Sequence, residues 1–104
     1  MSLKQLHKKW RKQFNEDCLK RDNNKCVFCD KTKKLDVHHI INRKEIENGG
    51  YSLYNGITLC EEHHYLAELY YQSEITDEEY SHENLFKLIN SSKEKAIINS
   101  KKLK

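Results

Sequence analysis

The chain contains no proline, and its three glycines, Gly49, Gly50 and Gly56, all lie between residues 49 and 56. With so few backbone breakers there is one obvious loop, and it is there. No segment approaches the roughly 20 apolar residues of a membrane span, so no membrane partner is expected. The opening MSLKQLHKKW lacks the apolar core of a signal peptide. That points to a cytoplasmic protein, in which disulfides are not expected. Apolar residues are also scarce: they make up 37% of the 104 residues, and the mean hydropathy is −0.97. This length suits one domain, 1–104, with a thin core. Such a chain calls for a staple, either a metal or a partner subunit.

Charge is present but unevenly placed. Residues 1–34 hold eleven Lys/Arg against four Asp/Glu, 35–90 hold three against eleven, and 91–104 hold five against one. A basic arm and a basic tail therefore flank an acidic middle. Basic segments of this kind grip a polyanion through its phosphates, or are simply solvated helix faces. Lys8, Lys9, Arg11, Lys12 and Arg43 are the candidate nucleic-acid contacts.

Periodicity predicts an α+β chain. Leu3, Leu6, Trp10, Phe14 and Cys18 recur at steps of three and four, giving a helix over 3–21 within a basic segment 1–22. Asp22-Asn23-Asn24 should stop it. A hairpin-like element around CVFCDKTKK leads to a strand at 35–40, and a loop at 42–56 carries one helical turn at Arg43–Glu47. A short strand at Ile57–Cys60 precedes a helix at Glu61–Gln72, whose first turn is acidic as the helix dipole favours. Thr76-x-x-Glu79 resembles a capping box and predicts a helix over 77–90 with Leu85, Leu88 and Ile89 inside. The tail 91–104 reads as weakly helical or frayed, and 73–104 as a C-terminal helical extension of a core at 23–72.

The cysteines and histidines carry the chemistry. Cys26-x-x-Cys29 places two thiolates where one tetrahedral ion can be gripped. Cys60-x-x-His63 repeats the spacing, so Cys26, Cys29, Cys60 and His63 form a Cys3His set suited to structural Zn2+. Cys18 has no partner at ligand spacing and sits on the apolar stripe, as a core residue would. His64 is left over. Successive helical side chains diverge by about 100°, so a ring next to a zinc ligand points to a second place. His38 or His39, from the strand LDVHHII, can meet it there, and Glu68 lies one turn on along the same face. Imidazoles of this kind hold divalent transition metals.

LDVHHII followed by NGITLCEEHH resembles the signature of the HNH (ββα-metal) endonucleases, and RDNNKCVFC is similar to the zinc knuckle that often precedes it. The matching letters are His39, Asn55 and His64, and the resemblance covers about residues 21–72. It implies a small ββα-metal core with a zinc knuckle, flanked by N- and C-terminal helices. It further implies a metal-dependent DNA endonuclease that leaves 5′-phosphate and 3′-hydroxyl ends. His39 would be the general base, and Asn55 would tie the loop and orient it. His38 and His64, with Glu68 as a further candidate, would hold one divalent cation such as Mg2+, Mn2+ or another transition metal. A monomer would nick one strand, and a homodimer would cut both. The rival readings are a non-catalytic zinc-stapled nucleic-acid-binding module and a protein-interaction domain. On this assignment, replacing His39 by Ala should abolish cleavage with stability nearly unchanged.

Overall fold

The computed structural model describes residues 1–103. Helix α1 spans Leu3–Arg21. Ser2 opens it with a capping box shared with Gln5, which satisfies backbone donors that the first turn leaves over. Trp10, Phe14 and Cys18, four residues apart, face inward, whereas Leu3, first in the predicted stripe, is 66% exposed. The helix stops at Asp22, where its far end is fastened to the sheet. The Asp22 carboxylate accepts from the Arg21 guanidinium at 2.7–2.8 Å and from the backbone N–H of Thr58 at 3.0 Å. Arg21 also donates to the carbonyls of Leu53 and Gly56.

Residues 23–34 form tight turns and not a strand hairpin. Cys26 N–H donates to Lys31, and Asp30 N–H to Cys26. Asn23, Asn24, Asp30 and Lys34 take left-handed backbone conformations, which extended strands do not allow. β1 (Leu35–His39) then pairs antiparallel with β2 (Gly56–Cys60), placing His38 opposite Ile57 and His39 opposite Gly56. All five β2 residues are buried. Gly56 is required by packing: a Cβ there would lie 2.5 Å from both Cys18 Sγ and the Phe14 ring. The helical turn expected at Arg43–Glu47 falls later, as two short 3-10 turns at Glu47–Gly50 and Leu53–Asn55. Helix α2 (Glu61–Tyr71) follows β2 with no linker.

The C-terminal third departs most from expectation. Thr76 caps nothing; residues Glu78–Tyr80 make a 3-10 turn that buries Tyr80, and helix α3 begins only at His82 and ends at Leu88. Its cap is Ser81, whose hydroxyl accepts from Asn84 N–H at 3.1 Å. Leu85, Phe86 and Ile89 are buried, but Leu88 is 43% exposed. The tail forms an ordered helix α4, Lys93–Lys101, capped by Ser92. Ala96 and Ser100 face inward on it, and Asn48 Nδ2 reaches the Ser100 carbonyl at 2.8 Å. Residues 73–103 are therefore part of the body, since Tyr80, Leu85, Phe86, Ile89 and Ala96 share one apolar cluster with Ile57 and Leu59. A second cluster joins α1 to Tyr51 through Trp10, Phe14 and Cys18. Among the described residues the fold is thus α+β, with four α-helices and one two-stranded antiparallel sheet. None of the helices is long and apolar enough to cross a membrane.

Candidate functional site

The knuckle turn and the end of β2 bring three sulfurs together. Those of Cys26, Cys29 and Cys60 lie within 4.8 Å of one another. Cys29 and Cys60 Sγ are 3.7 Å apart. A disulfide needs about 2.05 Å. Two thiolates on a tetrahedral zinc, each with a bond of about 2.3 Å, sit about 3.8 Å apart. The spacing therefore suits a shared ion and not a disulfide. Burial works against ionising Cys60, but the backbone N–H of His63, the neighbouring thiols and the N–H of Glu62 outweigh it, and its pKa lies below the ordinary thiol value. The start of α2 is the physical source of that effect.

The expected fourth ligand, His63, stands outside this group. Because α2 starts directly after Cys60, it is the backbone N–H of His63 that faces the sulfur. Its ring stacks on Phe28 at 5.0 Å, and its Nδ1 is hydrogen-bonded to the Tyr80 hydroxyl at 2.8 Å. Nothing in the sequence marked Tyr80 as that partner.

His63 and His64 diverge as the helix requires, and His64 meets β1. Ligand atoms of His38, His64 and Glu68 lie within 4.8 Å of one another. Glu68 Oε1 is 3.3 Å from His38 Nδ1 and 3.4 Å from His64 Nε2. The bond from His38 holds the Glu68 carboxyl below its usual pKa despite partial burial. The other nitrogen of His64, Nδ1, is 3.4 Å from Asp36 Oδ2. Asp36 escaped the sequence reading, although strand periodicity puts it on the same face as His38. Two imidazoles and a carboxylate at this range form a donor set suited to a divalent transition metal. Asp36 supplies the kind of second contact that fixes a ligand's tautomer.

His39 turns to the other face of the strand. Its ring stacks on Phe14, with centroids 4.5 Å apart, and meets Tyr51 edge-on at 5.2 Å. The carbonyl of Gly49 holds one ring nitrogen, whereas Nε2 is buried and has no hydrogen-bond partner among the described residues. Desolvation, aided by positive charge on His38, Arg43 and Arg11, pushes its pKa down to about 4. The imidazole is therefore neutral at physiological pH, with an accepting nitrogen available. This enclosure also corrects the expectation that His39→Ala leaves stability untouched, because truncation empties the space between two aromatic rings. His39→Gln is the gentler change.

Asn55 is fully buried and closes the loop behind His39. Its Oδ1 accepts from Ile41 N–H at 2.9 Å, and its Nδ2 donates to the carbonyls of Ile41 at 3.1 Å and Gly50 at 3.2 Å. Gly50, at φ +63°, could not carry a Cβ without meeting Asn55 Nδ2 at 2.7 Å.

Of the five basic candidates, Arg11 and Arg43 reach the cleft beside His39. Lys8, Lys9 and Lys12 are exposed on α1. Arg43 Nη1 donates to the Tyr51 hydroxyl at 3.3 Å, and Arg11 bears on the same oxygen. Comparison with protein-family models, with curated proteins and with solved structures finds no match to this chain.

Proposed function

We propose that this chain is a metal-dependent DNA endonuclease of the HNH (ββα-metal) type, stapled by a structural zinc. The order of two strands and a helix, β1–β2–α2, supports this reading, together with two separate donor clusters. The observation that carries it is the gathering of His38, His64 and Glu68, with His39, whose buried Nε2 has no partner among the described residues, bordering the same cleft.

Cys26, Cys29 and Cys60 would hold a structural zinc. His38, His64 and Glu68 would hold a divalent cation, which would supply Lewis-acid stabilisation of developing negative charge. The protein's own groups do the rest. His39 Nε2 would take a proton from water as the water oxygen bonds to phosphorus and the bond to the 3′-oxygen breaks, the departing 3′-oxygen taking a proton from solvent water to leave a 3′-hydroxyl and a 5′-phosphate. The Gly49 carbonyl holds the opposite ring nitrogen as the N–H tautomer, and Asn55 fixes the loop that presents it. Asp36 does the same for His64 by keeping Nδ1 engaged and Nε2 available.

Supercoiled plasmid incubated with the zinc-containing chain and added Mg2+, Mn2+, Co2+ or Ni2+ tests the proposal. Conversion to nicked or linear DNA is expected with at least one ion. His39→Gln should slow it by on the order of 100-fold or more. Plasmid left intact under every ion, or cut equally by the variant, refutes the assignment.

A further inference from the structure

The three arginines of the α1–loop face are used differently. Arg21 is neutralised, with two nitrogens on the Asp22 carboxylate. Arg11 and Arg43 come from separate elements and converge on one phenol oxygen, that of Tyr51. Neither has a carboxylate partner among the described residues. Two like charges brought to one point, with no counter-charge, make an arrangement that an anion relieves. Burial raises the Tyr51 pKa, yet the two guanidiniums lower it overall, so negative charge is already favoured at that spot. The cleft they line holds about 340 Å³ and adjoins the cleft lined by His38, His64 and Glu68, since Val37, His39 and Arg43 border both. Asp36 also borders it, but its carboxylate is turned to His64.

We propose that Arg11, Arg43 and the Tyr51 hydroxyl seat a second phosphate of the nucleic-acid strand, next to the one at the His38–His64–Glu68 cluster. The position of the first phosphate rests on the nuclease reading. A tetrahedral phosphate can accept from two guanidiniums and a hydroxyl at once. Substrate recognition would then demand a chain with consecutive phosphates, and a lone phosphodiester would be held by one site only.

Calorimetric titration of the zinc-containing chain in Mn2+, with thymidine 3′,5′-bisphosphate and thymidine 5′-monophosphate, measures this directly. The bisphosphate should bind about tenfold more tightly or better, as expected for added charge-assisted hydrogen bonds. The doubly substituted Arg11→Gln/Arg43→Gln chain should lose most of that preference. Tyr51→Phe keeps the packed ring and removes only the hydroxyl, so a reduced preference there is free of folding effects. Equal binding of both probes by the wild type, or a preference unchanged in both variants, overturns the proposal. Hydrolysis of bis(p-nitrophenyl) phosphate, which has a single phosphate, separates the two ideas. Hydrolysis without a bisphosphate preference removes the seat and spares the nuclease. A preference lost in the variants, with neither this ester nor supercoiled plasmid cut, supports the seat and removes the nuclease.

Discussion

Asn55 shows how one buried amide can organise a loop. Three of its hydrogen bonds close on backbone groups of Ile41 and Gly50 that have no route to water. Asn55→Ala leaves those groups without their partner, at about 1–3 kcal/mol each, so a loss of about 3 kcal/mol or more is expected in urea unfolding. A loss under about 1 kcal/mol would mean that the loop holds itself. Cys18 gives a pH test at the same scale. Desolvation pushes its thiol up to about 12 from an ordinary 9.0, so the folded state keeps a proton that the unfolded chain releases above pH 9. Its contribution is intact below pH 9. It is lost as pH rises from 9 towards 12, by up to about 1.4 kcal/mol per pH unit. Unfolding midpoints over this range should fall more steeply for the wild type than for Cys18→Ala; parallel slopes would contradict the burial argument. Spacing marked Cys26, Cys29 and Cys60 but also His63, which lies outside their cluster, and it left His38 and His39 as alternatives beside His64 and Glu68. Asp36, Tyr51 and Tyr80 were not legible, because their roles depend on which distant element folds over them.

At the scale of elements, α1, β1, β2 and α2 were readable because each has a strong local signal: a four-residue apolar repeat, two β-branched runs, and an acidic first turn. Their bounds shift by one residue at most. The C-terminal elements were misread for a physical reason. Thr76 and Glu79 have capping-box spacing, but burying Tyr80 against Phe28 and His63 winds the chain into a 3-10 turn first. Helix α4 hides because its inward positions are Ala96 and Ser100, small residues that allow close approach but give no apolar stripe. Its start rests on Ser92, whose hydroxyl accepts from Lys95 N–H at 3.1 Å. Ser92→Ala should destabilise the protein by about 1 kcal/mol in thermal or urea unfolding, and Ser92→Gly by a few tenths. No change for Ala would show that α4 is held by packing alone.

The whole molecule puts two donor clusters on one small frame. Sulfurs tie the knuckle to the end of β2, and imidazoles tie β1 to α2, so one ion would hold the scaffold together while the other stands where chemistry can occur. His63, between Cys60 and His64 in the chain, belongs to neither cluster and is held by the Tyr80 hydroxyl. The chain's thin apolar supply fits a metal at the sulfur cluster, since a structural ion would add folding free energy to a small core. The most direct test is the His64→Ala protein, assayed for plasmid nicking in Mn2+ and for bound zinc by elemental analysis. The expected result is one zinc per chain, as in the wild type, with nicking slowed by on the order of 100-fold. Zinc lost together with activity, or nicking at the wild-type rate, would contradict two independent ion sites.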